Sequence, residues 1–313
     1  MKVVSIGDLV LDIILPVTLP VTAHQDVPTR RVEPGGACNF MIAARRMGLA
    51  VSAVGAVGAD LFGSLVLEAL RQESVDTTGV VAVPGSTTTL VIVLTDQQSG
   101  EHLFIGHYGE GDEVPYPDPV DGLIAGADAL FVQGYTLAEK RVVGMALHAI
   151  EYAKDANIPI YLDVGPFIAN VQPEHVSWIM ERAAVILMTQ DEVSLASAGR
   201  TGDAAYEHLL AQGAQILVIK RGALGCLVVT PDFREDVPGF QAKVVDTVGA
   251  GDCFDAAFLA GRLNGLGLRE SALLANAMGA ASVQRMGAGR NAPTCAEVKA
   301  VLTHAGVDIP FLC

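Results

Sequence analysis

The chain is poor in basic residues, aromatics and cysteines, and each scarcity removes a class of function. Lysine and arginine number 20 against 35 acidic residues, a formal net charge of −15, and the longest basic clusters are Arg30-Arg31 and Arg45-Arg46. That leaves no electrostatic footprint for nucleic acid or for an anionic membrane surface. Cys38, Cys226, Cys253, Cys295 and Cys313 are odd in number, widely scattered and free of C-x-x-C spacing. The pattern argues against a disulfide framework and a zinc site, and fits a reducing cytoplasm. No apolar run reaches the ~18 residues of a membrane span. Residues 3–15, followed by Val21-Thr22-Ala23, superficially imitate a signal peptide, but Asp8 and Asp12 fall inside its apolar core, which favours a buried strand.

Several catalytic motifs are missing too. There is no G-x-x-x-x-G-K-S/T, no H-E-x-x-H, no G-x-S-x-G and no G-x-G-x-x-G after a strand, and the seven histidines share no ligand spacing. P-loop, metalloprotease, serine hydrolase and simple dinucleotide chemistries are poor matches.

What is present suits an α/β protein. Hydrophobic residues make up 51% of the chain and 33 residues are glycine, as expected of a buried parallel sheet under closely packed helices. At 313 residues the chain fits one large α/β domain. Apolar runs predict strands over 2–7, 51–57, 129–133, 158–163, 184–188 and 215–220, with more extended structure over 224–230 and 242–245. Helices are expected over 40–47, 137–154, 173–182, 203–212, 268–284 and 294–304. Another should follow an Asp60 cap, with Leu61, Leu65, Leu67 and Leu70 on its apolar side. Strand then helix at this spacing means right-handed crossovers, helices on both faces and ligands at the carboxyl ends of the strands.

Two stretches interrupt the alternation. Residues 9–17 continue in extended character, and Pro16, Pro20 and Pro28 then punctuate a region that reads as neither helix nor regular strand. Residues 87–95 and 101–107 form a hairpin around Asp96-Gln97-Gln98-Ser99-Gly100, a candidate lid outside the main sheet.

Candidate chemistry concentrates in Asp246-Thr-Val-Gly-Ala-Gly-Asp252 and the small-residue helix after it. The amides of Gly249, Ala250 and Gly251, with the positive end of that helix, form an anion cradle. Asp252 inside it could accept a proton from a hydroxyl while the amides hold a phosphoryl group, a pairing that a kinase needs. An N-capping Asp in a tight turn is the alternative. Upstream, Gly35-Gly36-Ala-Cys-Asn39 puts amides and one side-chain amide at a helix start, an arrangement that can bind polyols or serve as an Asn cap.

These two motifs, roughly 210 residues apart and in this order, resemble the carboxy- and amino-terminal signatures of the ribokinase/PfkB carbohydrate kinases. Gly7-Asp8-Leu-Val-Leu-Asp12, Ala275-Asn276-Ala277, Gly287-Ala288 and Pro293 are similar to family positions as well. The resemblance covers essentially the whole chain. It implies a three-layer α/β/α ribokinase-like domain over 1–313 with a mostly parallel central sheet, plus a small β lid from about 12–34 and 86–110. It implies ATP as donor, Mg2+ as counter-ion, and Asp252 as the base, with Gly249, Ala250 and Gly251 on the transferring phosphoryl group. Asp12, Gly35, Gly36 and Asn39 would hold sugar hydroxyls, and Lys220, Gly222, Gly225 and Asn276 would lie around the nucleotide. The carbonyls near Asp246 and Val248 match where many relatives bind a monovalent cation such as K+, and dimerisation through the lid is implied.

Two departures stand out. Where relatives often have Asn-x-x-Glu near the metal, this chain has Thr189-Gln-Asp-Glu192. Glu192 could still organise Mg2+ through water, or with Asp191 simply stabilise a helix start. Cations that would offset a charged acceptor are lacking. Ala37 follows the double glycine, His107 and Tyr108 follow the second lid strand, and only Arg30 and Arg31 lie in the lid. The expected activity is therefore phosphorylation of a primary hydroxyl of a neutral free sugar. A nucleoside kinase, with Phe104, His107 or Tyr108 stacking on a base, and a catalytically silent sugar-binding protein are the competing readings.

Overall fold

The structure, a computed structural model, describes residues 1–98 and 102–310. Its strands are β1 (Lys2–Ile6), β2 (Leu9–Val17), β3 (Arg31–Gly36), β4 (Ala50–Gly58), β5 (Asp76–Val83), β6 (Thr89–Asp96) and β7 (His102–His107). They continue with β8 (Ala129–Gln133), β9 (Ile160–Asp163), β10 (Val185–Thr189), β11 (Ile216–Lys220), β12 (Cys226–Thr230) and β13 (Phe233–Val237). The large sheet has the order β13-β12-β11-β10-β9-β8-β1-β4-β5 and the small one β3-β2-β6-β7. In the large sheet only β12 and β13 run antiparallel to their neighbours.

Alternation along the central strands produces the layering. On β8, Ala129 and Phe131 pack into one hydrophobic cluster while Leu130 and Val132 pack into the other. Because successive side chains point to opposite faces, both faces of a parallel strand must be apolar when helices cover each side. Helices Ala37–Arg46, Leu61–Gln72, Ala250–Leu263, Leu268–Ser282 and Cys295–His304 cover the first face. Pro119–Ala125, Val143–Asp155, Pro173–Met180 and Gly202–Gln212 cover the second. Small residues let Ala250–Leu263 and Leu268–Ser282 pack closely, for a Cβ on Gly261 would lie 2.9 Å from Ser271 Oγ. The three-layer fold with its separate small sheet is the one expected.

Several local expectations need correcting. Residues 242–245 are not a strand; Ala242 and Val244 instead line a cavity. The helix expected over 137–154 is split into Tyr135–Ala138 and Val143–Asp155. Between them Arg141 turns inward and donates to Glu139, Ser86 and Thr87. In Leu61–Gln72, Leu61 and Leu65 are exposed and Gly63, Val66, Ala69 and Leu70 are buried. The cap fixes that rotation: Asp60 accepts from Gly63 N at 2.7 Å and from Thr88 N at 2.9 Å, drawing the Gly63 side inward. The irregular stretch before Pro34 contains β3, an edge strand of the small sheet, where a proline is tolerated.

Gln97 and Gln98 of the expected hairpin loop are described; Ser99, Gly100 and Glu101 lie outside the described residues, as does Cys313. Among the described residues, Cys38, Cys226 and Cys253 are buried free thiols. Among the described residues no helix is long and apolar enough to cross a membrane.

Phe40 and Phe131 stack with ring centroids 3.5 Å apart, joining helix Ala37–Arg46 to β8 beneath the ends of both. Phe131→Ala should lower unfolding free energy by about 3–5 kcal/mol in a denaturant melt. A loss below about 1 kcal/mol would show that this contact does not anchor the helix.

Candidate active site

The cradle turn has the geometry that its sequence demands. Gly249, at φ 71°, is the N-cap of helix Ala250–Leu263, a left-handed conformation that glycine adopts without strain. A Cβ there would collide with Ala288 Cβ, so the chain can cross at that point only as glycine. Ala250 N donates to Thr247 O at 3.2 Å, leaving Gly251 and Asp252 to present the open amides of the first turn.

Asp252 is not the cap, so that alternative falls. Its carboxylate is held by two amides from opposite sides of the cleft. Asn39 Nδ2 donates to Oδ2 at 3.3 Å and Gln133 Nε2 to Oδ1 at 2.6 Å. Asn39 is not a cap either: Gly36 holds that position, and Asn39 Oδ1 accepts from Gly289 N at 2.9 Å. Burial, then the charge of Asp163, pushes the Asp252 carboxyl up to about 7, opposed by Lys220 and by the Asn39 hydrogen bond.

One turn further along the same helix, Asp255 has a different fate. Lys220 Nζ lies 2.9 Å from Asp255 and 2.8 Å from Asp163, at the carboxyl end of β9. Burial alone would lower the lysine; the two carboxylates outweigh it and hold the ammonium well above its usual range. Lys220 thus belongs to an ion cluster at the cradle's edge, with its ammonium beside Gly251.

On the lid side, Asp12 of β2 is paired across from Glu33 of β3. Gly35 is where it is because a Cβ there would collide with the Asp12 carboxylate. Gly36, at φ 56°, passes so close to β2 that a Cβ would lie 2.5 Å from Asp8 O. Burial raises Asp12 to about 7, helped by Asp8 and Glu33, and burial raises Asp8 to about 6, helped by Glu139. Arg141 counters Asp8, a buried cation that a search restricted to the lid overlooks. Its charge is matched by Glu139 at 3.2 Å. Phe104 and Tyr108 are exposed, and Tyr108 meets Phe167 edge-on.

On the other side of the cradle is a cavity of about 760 Å3, lined by Lys220, Gly222, Gly225 and Asn276, by Thr247 and Gly251 of the cradle turn, and by apolar Leu224, Phe240 and Val283. That size and lining are typical of a small-molecule site. Asn276 spends its Nδ2 on Val237 O and Pro238 O, so it shapes the wall. Glu192 is buried near the same edge, its carboxylate accepting from Thr189 N at 2.8 Å, and burial pushes its pKa up. Asp246 accepts from Val248 N at 2.8 Å and Gly287 N at 2.7 Å, and lies 2.8 Å from His102 Nε2 of β7.

Gln133, Asp163, Asp255, Arg141 and His102 were not singled out from sequence. For Gln133 and Asp163 a signal existed, since each is the polar residue that ends an apolar parallel strand, where such sheets collect ligands.

The geometry can now be set beside known proteins. Fructokinase-1 of Zea mays is 29% identical over 320 residues, covering 97% of this chain and 98% of its own length. The structure of Arabidopsis thaliana ribokinase complexed with ribose and ATP superposes with a TM-score of 0.82 at 21% identity, covering 96% of this chain and 98% of that one. A Burkholderia thailandensis nucleoside kinase in complex with inosine reaches 0.79 at 22% identity, covering 97% of each chain. The model of the pfkB family carbohydrate kinases matches residues 1–295, and the chain, with its cradle turn, double-glycine helix start and separate small sheet, belongs to that family of ATP-dependent carbohydrate kinases.

Proposed function

We propose that the chain transfers the terminal phosphoryl group of ATP to a primary hydroxyl of a neutral free sugar, with Asp252 as the base. The observation that carries this is the state of Asp252: a part-buried carboxylate beside the open amides of a helix start, held by two amides and, among the described residues, in no ion pair. A protein that only bound sugar would have no use for a carboxylate kept proton-hungry at that point.

ATP would lie in the 760 Å3 cavity with its terminal phosphate at the Gly249–Gly251 turn, next to the Lys220 ammonium. Among the described residues no cluster of three or more ligating side chains exists, which fits Mg2+ held chiefly by nucleotide phosphates, with Glu192 acting through water. When bound, the ion would neutralise developing charge on the phosphates. The Asp246 carboxylate is already engaged, so a monovalent cation would rest on the backbone carbonyls of Asp246 and Val248. Asp12, Gly35, Gly36 and Asn39 would receive the sugar. Asp8, Asp12 and Glu33 together favour an uncharged acceptor over a phosphorylated one, since Arg141 is already matched by Glu139. The exposed Leu103, Phe104 and Ile105 of β7 support a homodimer formed through the lid. A nucleoside acceptor is the second reading, supported by the aromatic group Tyr108, Phe167 and Tyr135 near the cleft.

Coupled ADP release measured across pentoses, hexoses and nucleosides tests the assignment, with turnover expected on a sugar. Turnover on nucleosides alone would select the second reading, and none with any acceptor would refute both. Asp252→Asn should cut kcat by about 10³-fold or more while sugar binding, followed by calorimetry, changes by less than about threefold. Equal turnover in the variant would remove the role assigned to this residue.

Only the ionised carboxylate can take a proton, and its pKa in the folded protein is raised to about 7. kcat/KM should therefore climb with pH on the acid side, near tenfold per unit, and level off above about pH 7. A profile flat from about pH 5 upward would contradict the assignment.

A further inference from the structure

Gln133 closes β8 at its carboxyl end and is 2% exposed. Its two polar atoms are treated very differently. Nε2 donates to Asp252 Oδ1 at 2.6 Å, while Oε1 is buried without a hydrogen-bond partner. A core amide that served packing alone would be oriented and surrounded so that both ends were satisfied. Here the acceptor is left bare and the donor stays on the carboxylate. Turning the amide over would set Oε1 against Asp252 Oδ1, a contact that only a protonated carboxyl tolerates.

The surroundings hold Gln133 in place. A Cβ on Gly7, just past the end of β1, would lie 3.3 Å from Oε1, so the amide fits there because residue 7 is glycine. Behind it, a Cβ on Gly134 would collide with Val164 O, which pins the chain as it leaves β8. The partner amide, Asn39, is fixed in turn by Gly289 N. Among the described residues, the charged and titratable groups facing Asp252 include Asp163 from β9, Lys220 from β11, Asp12 from β2, Tyr135 just past β8, and Cys253 and Asp255 from its own helix. None of these hydrogen-bonds to its oxygens; the two amides do.

We propose that Gln133 is a positioning residue for phosphoryl transfer, one jaw of a two-amide clamp with Asn39 that fixes the Asp252 carboxylate and reserves its remaining lone pairs for the acceptor hydroxyl. This rests on the kinase reading above. Each oxygen of the carboxylate receives one amide hydrogen, so each keeps an acceptor site in the cleft for the proton to be removed. The clamp also stabilises the charged form against burial.

The test uses Gln133→Leu and Gln133→Met, which remove the donor together with the unsatisfied acceptor, and Gln133→Glu, which keeps the shape and adds like charge. For the Leu and Met variants kcat should fall about 10- to 100-fold, with the acceptor KM within about threefold of wild type. The acid limb of the pH profile should move up by about one unit, and further in Gln133→Glu. The melting temperature of the Leu and Met variants should change little, because the donor lost to Asp252 Oδ1 is offset by removal of the buried, unpaired Oε1. Unchanged kcat with an unmoved acid limb overturns the proposal. So does a loss of kcat that comes with a lowered melting temperature and an unmoved limb, which marks a structural role. If one apolar variant fails to fold, the other and Gln133→Glu still give the acid limb. Wild-type protein that releases no ADP with any acceptor overturns the kinase reading instead.

Discussion

The ammonium of Lys220 decides which of two aspartates on one helix is neutralised in an ion cluster and which is held by amides alone. Asp252 and Asp255 sit one turn apart on Ala250–Leu263, and both are carried into a region with little solvent. A buried charge needs a partner, and Lys220 supplies it to Asp255 and to Asp163 at once. The cluster ties β9, β11 and the cradle helix together at the carboxyl edge of the sheet. Asp252, left without that ammonium, has its affinity for protons raised by burial first and then by the charge of Asp163, with Lys220 opposing. The same arrangement thus anchors the fold and tunes the acid beside it.

A second constraint runs through the loop that follows Leu268–Ser282. Gly287 N holds Asp246, Gly289 N holds Asn39, and Ala288 packs where a side chain on Gly249 would stand. Arg290 from the same loop reaches Glu33 on the lid strand β3 at 2.9 Å. The cradle turn, Asn39 and the small sheet are therefore registered against one short segment. On the far side His102 of β7 meets Asp246, so the small sheet touches the turn that precedes the anion cradle.

How much of this could be read from the residues varies with the kind of interaction. The inner strands of the large sheet were visible because burial on two faces demands continuous apolar runs, whereas its edge strands β5 and β13, which are largely unburied, were not. Asp252 was visible because small residues, an acid and a helix follow one another directly in the chain. Arg141 was not, because its meaning lies in an interaction across the fold, with Asp8, that no local pattern encodes; for Gln133 the strand-end position was legible but its bond to Asp252 was not. The rotation of Leu61–Gln72 was read only in part: Leu70 is buried and Leu67 packs against the core as expected, whereas Leu61 and Leu65 are exposed. Its leucines suggest an apolar face, but the cap made by Asp60 with Gly63 and Thr88 turns the small residues inward. The loop over 242–245 looks like a strand by composition, and its apolar residues serve a cavity wall instead.

The central claim concerns where a hydroxyl and a phosphate would meet. A crystal structure with a non-hydrolysable ATP analogue and a sugar that supports turnover measures it directly. The account predicts the terminal phosphate on the Gly249–Gly251 turn and one sugar hydroxyl about 2.6–3.2 Å from the Asp252 carboxylate. A terminal phosphate bound elsewhere, or a reacting hydroxyl directed to another acid with Asp252 facing away, would contradict it.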